Sequence, residues 1–107
     1  MADFPEKIII DLTDNSLNEY VYSEFSNQVN LLLQGLYQAG IDIPLSIRGT
    51  QDQVESFFDS LKKEKRYMDS YMKHGLNSRK TMGDKRSLEK AVRRFETETS
   101  LRWPFKN

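Results

Sequence analysis

Arg48 to Gly75 reads RGTQDQVESFFDSLKKEKRYMDSYMKHG, and this stretch decides the fold. Val54, Phe57, Phe58, Leu61, Met68 and Met72 return at helical spacing, which predicts one long helix with an apolar face that other elements must cover. Thr50 is placed to cap its start, and His74 with Gly75 to end it. Asp52, Glu55 and Asp59 fall in its first turns and Lys62, Lys63, Lys65, Arg66 and Lys73 in its second half, the order the helix macrodipole favours.

Upstream, Lys7 to Thr13 (KIIIDLT) is β-branched and apolar and is followed by the turn residues Asp14, Asn15 and Ser16, so it predicts a short strand with Ile8, Ile10 and Leu12 facing the core and Ile9 the other side. From Ser16 the period becomes helical. Leu17, Val21, Phe25, Val29, Leu32 and Leu36 make a stripe, widened by Tyr20, Leu33 and Tyr37, with Ser16 and Glu19 spaced as a capping box and Gly40 as the stop. Ile41, Ile43, Leu45 and Ile47 then alternate with polar residues and Pro44, the pattern of a second strand at a sheet edge. Strand, helix and strand at this spacing imply a right-handed βαβ unit with parallel strands.

Downstream, LNSRKTMG (Leu76 to Gly83) reads as a loop carrying Arg79 and Lys80, with Asp84 capping a third helix in which Leu88, Ala91, Val92 and Phe95 share one stripe. That helix frays near Thr99. Leu101, Trp103 and Phe105 alternate in the closing segment, stiffened by Pro104; they either fold back over the core or insert into another chain. The expected architecture is a single α+β domain, β-α-β-α-α, with a small parallel two-stranded sheet on amphipathic helices. Such a sheet is marginal alone, so either a third strand hides in a loop or two chains join sheet edges as a homodimer.

Composition narrows function. With 107 residues, 30% of them charged and no cysteine, the chain has no disulfide framework, no thiolate chemistry and no cysteine-based zinc site. It has no run of 18 apolar residues and no basic-then-apolar start, so a cytoplasmic protein is expected, with no membrane partner. The zero net charge hides a division: residues 1–61 hold two cations against ten carboxylates, and residues 62–107 fourteen against six. A molecule so divided can steer a polyanion or an acidic protein to one end, unless the halves fold against each other.

The candidate contact surface is basic. Lys62, Lys63, Lys65, Arg66 and Lys73 lie on the long helix, Arg79 and Lys80 in the loop, and Lys85, Arg86, Lys90, Arg93 and Arg94 on the third helix, with Tyr67 and Tyr71 interleaved. Three readings stay open: a solvated charged face, a surface for an acidic protein, or a phosphate-contacting surface whose tyrosines stack on bases. The pI near 6.6 and i,i+4 partners such as Asp69 with Lys65, or Glu89 with Lys85 and Arg93, weigh against nucleic acid. Chemistry finds thinner support. The turn Arg48-Gly49-Thr50 could hold an anion but lacks the glycines and lysine of a phosphate loop. Asp11, Asp14 and Asp42 are better explained as turn formers than as a magnesium site, and His74 as a cation at a helix end than as a base. No enzyme activity, cofactor or small-molecule substrate is expected.

Leu88, Ala91, Val92, Phe95, Glu96, Thr99, Trp103, Pro104 and Phe105 form a pattern that resembles the ends of small accessory proteins encoded by large tailed bacteriophages. The resemblance implies a host or phage macromolecule as partner and carries no site residues. The expected function is non-catalytic docking on another macromolecule, a protein first, through the basic helical face and the tail residues Trp103 and Phe105, with nucleic-acid binding as the alternative.

Overall fold

The computed structural model describes residues 8–13, 19–38 and 45–105, and side chains in all of these except 19–23 and 36–38. In chain order it forms β1 (Ile8–Asp11), α1 (Glu19–Leu32) with a π-helical continuation over Leu33–Gln38, β2 (Leu45–Arg48), α2 (Gln51–His74) and α3 (Arg79–Thr99). This is the expected β-α-β-α-α order. β1 and β2 pair in parallel, Ile8 opposite Leu45 through Asp11 opposite Arg48, and the ladder is prolonged by Leu12 N–H donating to the Arg48 carbonyl at 2.8 Å.

The alternation in β1 is realised: Ile8, Ile10 and Leu12 are buried and Ile9 is 51% exposed. Gln28 of α1 donates from Nε2 to the Ile9 carbonyl at 2.6 Å, so a side chain already occupies that carbonyl. Phe25, Val29, Leu32 and Leu33 of the first helix cover the sheet. The helix widens to π winding over its last six residues rather than running on as a plain α-helix. The Ser16 cap, Leu17, the Gly40 stop and Ile41 to Pro44 lie outside the described residues, as do the side chains of Tyr20, Val21, Leu36 and Tyr37.

α2 is 24 residues long, about 36 Å by helical rise, close to the largest extent of the molecule, 37 Å. A reciprocal capping box starts it. Gln53 N–H donates to Thr50 Oγ1 at 3.2 Å and Thr50 N–H to Gln53 Oε1 at 2.9 Å, while Gln53 Nε2 donates to the Glu98 carbonyl at 3.1 Å. These bonds use Thr50 N–H, so the Arg48-Gly49-Thr50 turn is a helix cap. Gly49 is needed for the close approach, since a Cβ there would lie 3.0 Å from Gln53 Oε1 and 3.3 Å from Leu12 Cβ.

Phe57 and Leu61 are the core residues of α2, with Phe95 from α3. Four rings meet there. Phe25 stacks on Phe95 at 5.8 Å, Phe57 lies 6.0 Å from Phe95, and Trp103 meets Phe95 edge-on at 5.3 Å and Phe57 at 6.1 Å. The closing segment therefore folds back. Ser100 takes the left-handed conformation after α3 (φ 61°), and Leu101 and Trp103 are buried, with Phe105 half-buried beside Trp103.

Two sequence expectations are corrected. The third helix starts at Arg79, not after Asp84, because Ser78 caps it: Thr81 N–H donates to Ser78 Oγ at 3.1 Å. Gly83, read as a loop residue, is helical. And Met72, read as part of the buried stripe, is 81% exposed, because α2 outruns the core that Phe57 and Leu61 pack against.

Candidate docking surface at the hairpin end

α2 and α3 form a helical hairpin closed by residues 75–78, and its far end is held by polar bonds. Ser70 Oγ donates to Asp84 Oδ2, Thr81 Oγ1 donates to the Ser70 carbonyl at 3.1 Å and lies 2.8 Å from Ser78 Oγ, and Lys80 Nζ lies 3.7 Å from Asp84. Ser70 and Thr81 are buried, and their small size lets the two helices close without large apolar residues between them. The large apolar side chains of this end stand outside. Tyr71 is 51% exposed, Met72 81%, Leu76 54% and Met82 47%; with Ile9 they are the exposed large hydrophobics among the described residues. Exposed large apolar side chains among polar groups mark a candidate contact site.

Cations lie near these residues in the chain: Lys73 stands in the last turn of α2, and Arg79, Lys80 and Arg86 follow in α3. Sequence reasoning joined the cations of both helices into one face; the structure divides them. On α3, Arg79, Arg86, Lys90 and Arg93 are exposed and share the side opposite buried Thr81, Leu88 and Phe95, along about 21 Å of helix. None of these four is ion-paired among the described residues. On α2 the outer cations alternate with acids: Lys63 lies 3.9 Å from Asp59, and Lys65 bonds Asp69 at 2.9 Å as the spacing predicts. Lys62 and Arg66 are exposed, and half-buried Tyr67 packs 6.4 Å from the Tyr71 ring.

Arg94 points elsewhere, to Asp52 at 3.9 Å and Glu55 at 3.7 Å, so it belongs to the acidic start of α2 and not to the basic end. Lys85 is half-buried on α3. Trp103, named from sequence as a docking residue, is 3% exposed and serves the core, which takes the fold-back reading of the tail over the insertion reading. Phe105 with Glu89, Val92 and Arg93 lines a shallow groove of about 210 Å³.

One buried group has altered acidity. Glu64 is buried in the α2 face that meets Trp103 and accepts from Trp103 Nε1 at 2.9 Å. Burial raises its carboxyl above the ordinary value, and the indole hydrogen bond opposes that rise. The second anchor of the tail is Glu96, whose Oε2 accepts from Trp103 N–H at 2.9 Å.

For chemistry the described residues offer little. They contain no group of three or more His, Asp or Glu placed to hold a metal ion, and no helix long and apolar enough to cross a membrane. Asp14 and Asp42 lie outside the described residues, and Asp11 Oδ1 accepts from Thr13 N–H and Oγ1, a turn contact. His74 is exposed at the end of α2. Compared with protein-family models, curated proteins and solved structures, the chain matches none.

What sequence reasoning missed is the apolar half of the surface. Leu76 and Met82 lie in a segment that reads as loop from sequence, and Met72 on a stripe that reads as core. The sequence carries no signal of where the cover of that stripe ends: Met68 still packs on the core, and Met72, one turn on, does not.

Proposed function

We propose that this chain is a non-catalytic docking protein whose α2–α3 hairpin end binds an acidic surface on a partner protein. The observation that carries the reading is that Tyr71, Met72, Leu76 and Met82, the large apolar side chains near the turn of the hairpin, are exposed, with Lys73, Arg79, Lys80 and Arg86 close to them in the chain. Apolar side chains supply the area that is removed from water on docking, and the cations select an acidic partner and speed encounter. The core role of Trp103 removes the tail from the contact, leaving the hairpin as the docking element. The phage-like C-terminal pattern fits a role as an accessory to a larger assembly.

Nucleic acid is the second reading, favoured by the unpaired cations along α3 and by the Tyr67 and Tyr71 rings. It gives no role to Met72, Leu76 and Met82, and the acids among the α2 cations weaken it. Affinity capture with the wild-type chain and with a Met72→Ser, Leu76→Ser variant, followed by binding of the purified captured protein, tests the proposal. A partner lost with the double substitution, while circular dichroism stays unchanged, is the expected result. Equal capture by both chains would overturn it, and a complex formed instead with a DNA duplex, weakening steeply with salt, would establish the second reading.

A further inference from the structure

Gly83 lies in the second turn of α3, where glycine is the least favourable residue after proline. Nothing among the described residues requires it. Its φ is not positive, the positive-φ glycine among the described residues being Gly75, and a Cβ at position 83 would meet no described atom within 4 Å beyond the adjoining backbone of its own helix. No close approach of sheet, loop or α2 backbone explains the missing side chain. Its exposed neighbours three and four residues away are Arg79, Lys80 and Arg86, with Met82 beside it and Lys90 about one turn beyond Arg86.

A bare patch of backbone flanked by one apolar side chain and by cations is the negative of an acidic amphipathic helix. We infer that the outer face of α3 at Gly83 is the crossing point for a partner helix carrying apolar residues on one stripe and carboxylates beside it. Absence of a side chain at the crossing lets two helix axes come closer than ordinary side chains allow, as small residues do at tight helix pairs. Met82 then packs on the partner's apolar stripe, and Arg79, Arg86 and Lys90 reach carboxylates on either side of it. A second copy of this chain is a poor occupant, because crossing two α3 helices at Gly83 sets Arg79, Arg86 and Lys90 against the same cations. The inference rests on the docking reading above and adds the secondary structure and charge of the partner.

Two substitutions separate the inference from that reading. Leucine is a strong helix former and its Cβ has open space at position 83, so Gly83→Leu leaves the free chain folded, with a melting temperature equal to or above wild type. The probe is a capped synthetic peptide with leucine and alanine on one helical stripe and glutamate on its flanks, with a scrambled peptide of the same composition and a DNA duplex as comparisons, read by fluorescence anisotropy on the full chain. Expected is binding of the patterned peptide that Gly83→Leu weakens more than tenfold and Gly83→Ala several-fold. Equal binding of the scrambled peptide or the duplex overturns the inference, because charge alone is then recognised. Binding that falls with Leu76→Ser but ignores Gly83→Leu also overturns it, and leaves the hairpin end as the docking site. If the patterned peptide does not bind at all, the helix crossing is overturned, and the capture experiment decides the docking reading separately.

Discussion

Trp103 is held by three different forces at once, and each can be tested separately. Its ring packs among Phe57, Phe95 and Phe105, its indole N–H bonds Glu64, and its backbone N–H bonds Glu96. Trp103→Ala is expected to cost about 3–5 kcal/mol in denaturant unfolding, the range for emptying a large aromatic site, without altering docking by any chain that remains folded. Loss of docking with unchanged stability would return the tail to an interface. Glu64 adds a pH dependence. Its folded-state pKa is raised by burial, so its stabilising contribution is present below the ordinary carboxylate value and is lost as pH rises through the folded one. Glu64→Gln keeps an acceptor for the indole and removes the ionisation. Thermal melts from pH 4 to pH 8 should therefore show the variant gaining on wild type as pH rises; a gap that stays constant would mean Glu64 does not titrate in this range. One turn back, Ser60 Oγ is buried without a hydrogen-bond partner among the described residues, so Ser60→Ala should be neutral or stabilising by about 1 kcal/mol.

Among elements, the hairpin end depends on Asp84 more than on any apolar residue. Asp84→Ala leaves the buried Ser70 hydroxyl without its acceptor and should cost about 1–3 kcal/mol. The loss should concentrate in faster amide exchange over residues 70–84, and exchange spread evenly over the chain would contradict a separate polar lock. The same residue shows where the sequence was hard to read. Ser78 and Asp84 are both good caps, and Gly83 tipped the choice toward the later one, since an exposed helical glycine has no local rationale. The long helix was legible because Val54, Phe57, Phe58, Leu61 and Met68 recur at helical spacing behind Thr50, a good cap, and β1 because alternation in KIIIDLT has one buried solution. Met72 was not legible: periodicity reports which residues share a face, and says nothing of how far the covering elements reach.

At the scale of the whole molecule, the charge division is only partly neutralised by folding. Antiparallel packing brings Arg94 beside Asp52 and Glu55, yet it carries Lys73, Arg79, Lys80 and Arg86 to the opposite end from those acids. The basic surface sought along two helices is thus concentrated at one end and down the outer side of α3, which no sequence pattern could show without the direction of the hairpin. The sheet lies away from that end, with Ile9 exposed on it, and the expected self-association is tested there. Light scattering is expected to give a dimer that Ile9→Lys converts to a monomer, and a wild-type monomer would remove self-association.

The central claim, that the hairpin end docks on a protein, is tested most directly by photo-cross-linking inside the cell. A photoreactive side chain is placed in turn at Met72, at Leu76 and at Thr97, which is exposed near the other end of α3. The account predicts one discrete protein adduct from positions 72 and 76, abolished by charge reversal at Arg79 and Arg86, and none from position 97. Adducts from position 97 alone, or from all three positions alike, would contradict it.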